Sequence, residues 1–191
     1  NNMGSLKDWG VQYREVDVRD YDDAPGCPWD SWLKPETRVV MIQRSRGYSW
    51  RSSLFIEQIE ALIKEVKSRR PDIYVFVDNC YGEFVEDKEP CAVGADLIAG
   101  SLIKNPGGGI VPTGGYVAGK AELIERVACR VFAPGMGSSA GATLGFNRLA
   151  FQGLFLAPHT VSQALQGTSL TAKVLQGMGF TVSPEPEELR T

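Results

Sequence analysis

Four residues of this sequence have types and spacings suited to chemistry: Asp78, Tyr81, Ser101 and Lys104. The run "DIYVFVD" (72–78) leads into Asn79, Cys80 and Tyr81, and the run "ADLIAGS" (95–101) leads, three residues on, to Lys104 and then "NPGGGIVPTGG". A lysine among glycines, with little polar company, is expected to lose its proton more easily than a solvated one, and a neutral amine attacks a carbonyl to form a Schiff base. A carboxylate at a strand end, Asp78, can keep a ring nitrogen protonated as an ion pair. The Ser101 hydroxyl, about one turn before the lysine, is placed to hold a phosphate. A Schiff-base lysine, an acid facing a pyridinium and a phosphate anchor are together the requirements of pyridoxal 5'-phosphate. Glycines would let the backbone pass close to such a cofactor. Each piece also has a plain reading: a solvated lysine, a turn-forming aspartate, a capping serine, a glycine hairpin. The conjunction, in order and at strand ends, favours the cofactor.

The elements that must position these residues follow from periodicity. "VQYREVDV" (11–18) alternates as a strand does, residues 20–37 read as loop with one turn of helix, and "RVVMIQRS" (38–45) reads as a buried strand. Ser52 or Ser53 is expected to cap a helix whose apolar face is Phe55, Ile59, Leu62, Ile63 and Val66, ended by Pro71. "DIYVFVD", "ADLIAGS" and "GGYVAG" are further strands, and Leu123, Ile124, Val127 and Val131 return to helical period. Two more helices are expected, "ATLGFNRLAFQGLFLAP" and "TVSQALQGTSLTAKVLQGMG"; the first is apolar nearly all round and suits a core or a subunit interface. The fold class is α/β, a mostly parallel open sheet with helices on both faces. In such sheets ligands sit beyond the carboxyl ends of the strands, which puts Asp78, Tyr81, Ser101 and Lys104 on one rim. Arg44 and Arg46 end a strand near that rim and can meet a carboxylate or phosphate, with a salt bridge the simpler role. Tyr48 and Trp50 can face the cofactor or a neighbouring subunit, with simple packing the plainer reading, and His159 is read as the start of a helix after Pro158.

"VDNCYGEF" with "SLIKNPGGGIVPTGGYVAG" resembles the fold type I pyridoxal-phosphate enzymes, the aspartate aminotransferase-like group. With "IQRSRGYSWR" and "APGMGSSAGATLG" added, nearly the whole chain resembles the aluminium-resistance, methionine gamma-lyase-like or cystathionine beta-lyase-like family of carbon–sulfur lyases. The resemblance implies that Lys104 carries the cofactor, Asp78 pairs with the pyridine nitrogen, Ser101 binds the phosphate and Tyr81 meets the phenolic oxygen. It implies a sulfur-containing amino acid as substrate and a homo-oligomer, dimer or tetramer. Residues 1–158 would be part of the cofactor-binding large domain, with 159–191 a helix and linker toward a small carboxy-terminal domain. A glycine-rich phosphate loop and a ring-stacking residue would precede Asn1.

Composition sets the outer limits. The chain has 191 residues, 43% of them hydrophobic, and a formal net charge of −3. That supplies the core of one sizeable domain and argues against nucleic acid or an anionic membrane surface as partner. No apolar run free of charge is long enough to span a bilayer. Cys27, Cys80, Cys91 and Cys129 are scattered without a C-x-x-C pair beside a single histidine, which argues against zinc and fits small buried thiols in a reducing cytoplasm. The rival readings are a noncatalytic phosphate-binding module or scaffold and, within the same fold, an aminotransferase or aldolase. No Gly-Lys-Ser/Thr step or Rossmann fingerprint follows the glycines.

Overall fold

A computed structural model describes residues 3–16 and 29–188 of the chain. Residues 1–37 and 38–191 form two compact units. In the first, a 3-10 turn at Leu6–Trp9 ends on Gly10, whose left-handed φ of 80° lets its N–H reach back to the Lys7 carbonyl. Helix α1 (Trp29–Trp32) is the single helical turn expected between 20 and 37, and Arg14 donates to the carbonyls of Ser31 and Trp32. The strand expected at 11–18 does not form over residues 11–16, where no ladder partner pairs with them among the described residues; residues 17–28 lie outside those described.

The second unit is built on a four-stranded sheet in the order β1-β2-β3-β4: β1 (Val39–Gln43), β2 (Tyr74–Asp78), β3 (Leu97–Ser101) and β4 (Gly115–Gly119). The first three run parallel, and β4 returns antiparallel beside β3. The carboxyl ends of β1, β2 and β3 therefore share one rim, and β4 starts from the same rim at Gly115. Register pairs Gln43 with Asp78, Asp78 with Ala99, and Ser101 with Gly115.

Side chains alternate across a sheet, so register also decides which face each residue serves. Ile42, Val75, Val77 and Ile98 are buried on one face. Phe76, Asp78, Ala99 and Ser101 are only half-buried on the other, and Met41 there is 57% exposed. That second face carries an open depression, where coverage on both faces was expected.

Helix α2 (Ile56–Arg69) buries Ile56, Ile59, Ile63 and Val66, an i, i+3, i+7, i+10 stripe that matches the expected face except that Phe55 and Leu62 are only half-buried. Burying one such aliphatic side chain contributes about 1.5–3 kcal/mol. Neither Ser52 nor Ser53 caps it. The Leu54 N–H donates to the Arg44 carbonyl and keeps the chain extended past both serines. The first helical N–H, of Ile56, donates instead to the Glu86 carboxylate at 3.1 Å, and the Phe55 N–H to Gln58 Oε1 at 3.0 Å. At the rim opposite Asp78, fully buried Asp96 accepts from the Val75 N–H at 2.7 Å and pairs with Lys67 at 2.7 Å and Lys120 at 2.6 Å. One carboxylate thus ties β2, α2 and the start of α3 (Ala121–Val131) together.

The last two expected helices are one, α4 (Phe146–Gly177), with Pro158 inside it. Pro158 removes one N–H from the ladder at an exposed position of the helix. His159 accordingly lies mid-helix. Gly153, Ala157 and Val161 are buried, whereas Phe151 and Phe155 on the supposed all-round apolar segment are 69% and 84% exposed. Among the described residues no helix is long and apolar enough to cross a membrane.

Candidate active site

The depression at the strand-end rim has a volume of about 290 Å³ and is lined by Met41, Phe76, Asp78, Cys80, Ala99, Ser101 and the glycines 100, 114 and 115. Asp78 stands at its edge between β1 and β3, and its Oδ1 accepts from the Cys80 N–H at 3.1 Å. Ser101 lines the same hollow from β3, with its Oγ facing the Ile103 N–H at 3.4 Å. The chain then turns: the Lys104 N–H donates to the Ser101 carbonyl at 3.2 Å. The Lys104 ammonium lies 4.4 Å from the centre of the Tyr81 ring. Asp78, Tyr81, Ser101 and Lys104 are therefore gathered on one rim, two from each of two adjacent strand ends.

Lys104 is not the easily deprotonated lysine that its glycine neighbours suggest. Burial pulls its titration down, but Cys80 and Tyr81, as they ionise at alkaline pH, together with Asp78 outweigh that and hold it above the ordinary lysine value. Its polar company comes from the turn after β2, which sequence spacing does not reveal. Burial, helped by Asp78, pushes the Cys80 thiol up, so it stays protonated at neutral pH.

The glycines after Lys104 also do something other than approach a ligand. A Cβ on Gly107 would collide with the Leu102 carbonyl, one on Gly108 with the Gly153 carbonyl, and one on Gly153 would sit 2.6 Å from Val111 Cγ2. The run lets the lysine turn rest backbone to backbone on α4. Only Gly114 and Gly115 border the depression, as a close backbone approach would require.

Beneath the rim lies a buried polar network that sequence reading missed. Arg44 is fully buried and donates to Asn79 Oδ1 at 2.8 Å, to Glu86 at 2.7 Å and to Glu89 at 3.4 Å. Asn79 donates in turn to Glu89 at 2.8 Å and to the Tyr116 hydroxyl at 3.1 Å. Parity is the reason: Arg44 follows Ile42 and Asn79 follows Val77 on the buried face, so neither can reach a ligand on the face of Asp78. The salt-bridge reading of Arg44 holds. Arg46 donates to the Ser183 hydroxyl at 3.0 Å and lies 5.7 Å from the Trp50 ring centre. Tyr48 and Trp50 are not packing residues within this chain; Trp50 is 85% exposed. Cys80, Cys91 and Cys129 are free and half-buried, not fully buried.

A mostly parallel α/β sheet whose rim gathers a carboxylate and a hydroxyl in one hollow, with an amine on the next turn, defines a class: α/β proteins with a lysine-bearing site at the strand ends. The chain belongs to the methionine gamma-lyase family, whose profile matches residues 1–191. It is 50% identical over 195 residues to the uncharacterized protein YnbB of Bacillus subtilis (strain 168), covering 100% of this chain and 45% of that protein. A carbon–sulfur lyase involved in aluminum resistance from Clostridium novyi NT has a crystal structure similar at a TM-score of 0.91 and 47% identity, covering 100% of this chain and 45% of that one. The L-methionine gamma-lyase of Treponema denticola is 29% identical over 140 residues, covering 73% of this chain and 31% of that protein. The chain thus spans less than half the length of each of these relatives.

Proposed function

We propose that this chain carries the lysine-bearing part of a pyridoxal-phosphate-dependent carbon–sulfur lyase of fold type I, acting on a sulfur-containing amino acid in the manner of a cystathionine beta-lyase or methionine gamma-lyase. The observation that carries it is that Asp78 and Ser101 line one hollow from two adjacent strand ends, with Lys104 on the turn that follows Ser101 at the same rim. The donor set fits the cofactor: an amine for its carbonyl, a carboxylate for its ring nitrogen, a hydroxyl for its phosphate, and Gly114 and Gly115 as an open wall.

When bound, pyridoxal phosphate supplies a protonated ring that accepts an electron pair from a substrate carbon. Lys104 would hold it through its amine, and that amine, when free, would take the proton from the substrate Cα. Asp78, as a carboxylate, would pair with the ring nitrogen and keep it protonated, which is electrostatic stabilisation placed where charge develops. The Ser101 hydroxyl would donate to the phosphate, and Tyr81, beside the lysine, would be the group for the phenolic oxygen. Residues 1–158 belong in this reading to the cofactor domain and 159–191 to the path toward a smaller domain. A homo-oligomer in the cytoplasm completes it, and the exposed Tyr48, Trp50 and Phe155 suit subunit contact.

The test is product analysis on the full-length protein with L-cystathionine and L-methionine. Thiol, ammonia and keto acid released together, and lost in Lys104→Ala, support the lyase. Keto acid formed without thiol or ammonia release, and only with an amino acceptor present, would replace it with an aminotransferase.

A further inference from the structure

The turn after β2 is strained and is held from outside itself. Tyr81 and Phe84 have left-handed φ angles of 69° and 62°, which residues with a Cβ adopt at a cost of about 1 kcal/mol or more each. The Gly82 N–H closes this turn onto the Asn79 carbonyl at 2.8 Å, with Tyr81 as its third residue. Across from it stands Asn105, next to Lys104. An asparagine at the head of a short helical turn commonly bonds to its own backbone neighbourhood. Asn105 instead spends its amide group on the other turn, donating to the Tyr81 carbonyl at 3.0 Å and the Glu83 carbonyl at 3.0 Å, 24 and 22 residues away in sequence.

We propose that Asn105 is a positioning residue that clamps the Tyr81 turn to the Lys104 turn and so fixes the Tyr81 ring against the lysine amine. The arrangement is direct: the amide holds the carbonyl of the left-handed residue, and the ring of that same residue meets Lys104 at 4.4 Å. The inference draws its functional meaning from the proposed role of Lys104. Its test needs no cofactor.

The experiment labels amines of the full-length apoprotein with acetic anhydride and compares Lys104 with Lys64 by peptide mass mapping. Lys64 is 72% exposed on α2 and serves as the internal reference. Asn105→Ala is expected to raise the Lys104-to-Lys64 labelling ratio about two- to fivefold, the size of a lost cation–ring contact. In a Tyr81→Gly background, where glycine adopts the left-handed angle freely and no ring remains, Asn105→Ala is expected to leave the ratio unchanged. An unchanged ratio in the single variant, or equal rises in both backgrounds, would overturn the clamp. Should Asn105→Ala fail to fold, recovery of folding in Tyr81→Gly/Asn105→Ala supports the clamp, and failure there, with Tyr81→Gly alone folded, overturns it. Absence of cofactor uptake by the wild type would sink the proposed function and leave this labelling result to stand by itself.

Discussion

Tyr116 donates its hydroxyl to Glu83 Oε1 at 2.7 Å directly against the Cα of Gly100. Behind this pair runs the chain of contacts to Asn79 and Arg44, and in front of it lie Ser101 and the hollow. A Cβ on Gly100 would strike both the Glu83 carboxyl and the Tyr116 ring, 2.6 Å from its Cε1. Gly100→Ala is therefore expected to lower stability by about 1–3 kcal/mol, the usual penalty of overpacking, as read by urea unfolding. Full stability in this variant would mean that the pair moves aside without loss.

Glu83 is only 4% exposed, and burial raises its carboxyl above the ordinary glutamate value despite the Tyr116 bond. A group whose folded value is raised adds stability that is fully present below its unfolded value, about 4.3, and lost as pH climbs through the folded one. Glu83→Gln removes that loss. Melting temperatures from pH 4 to 8 are expected to fall less steeply with rising pH in the variant than in the wild type; parallel curves would show that Glu83 does not titrate in this range.

Arg44 is buried among Glu86, Glu89 and Asn79, and its two Nη atoms serve different partners. Arg44→Met is expected to cost about 1–3 kcal/mol, because it leaves the buried Asn79 carbonyl and the half-buried Glu86 and Glu89 carboxylates without their donor and frees the first N–H of α2 from the carboxylate that Arg44 orients. Arg44→Lys should recover less than half of that, since a single ammonium cannot reach both sides. A lysine variant as stable as the wild type would contradict the two-pronged reading.

Two glycines of α4 make a matched pair. A Cβ on Gly167 meets nothing within 4 Å, so Gly167→Ala is expected to gain up to about 1 kcal/mol from helix propensity alone. At Gly153 the same change meets Val111 Cγ2 at 2.6 Å and the Gly107 carbonyl carbon at 2.9 Å. There the clash exceeds the propensity gain, and thermal unfolding should show opposite signs for the two substitutions.

Much of this architecture is legible in the residues, and the exceptions have physical causes. Short apolar runs mark all four sheet strands, β-branched in β1 and β2 and glycine-flanked in β4, and the shared rim of Asp78 and Ser101 follows from strand order. The same alternation could have placed Arg44: it stands two residues from buried Ile42, whereas Gln43 shares the face of Asp78. What resisted reading is tertiary. The cap of α2 comes from Glu86, 30 residues on, in place of the nearby serines. Pro158 lies inside one continuous helix, at an exposed position. The glycines after Lys104 serve contact with α4, and the elevated titration of Lys104 arises from Cys80, Tyr81 and Asp78 on another turn.

The measurement that bears most directly on the proposed chemistry is borohydride trapping of pyridoxal phosphate on the full-length protein, read by absorbance and peptide mass mapping over a range of pH. A visible band that reduction removes, with the adduct on Lys104 and absent from Lys104→Ala, is the expected result. Because Lys104 is held above the ordinary lysine value, capture by the apoprotein should accelerate as pH rises and continue to do so beyond the range in which free lysine has already lost its proton. No band, or an adduct spread over surface lysines with Lys104 unmodified, would contradict the assignment of this rim as a pyridoxal-phosphate site.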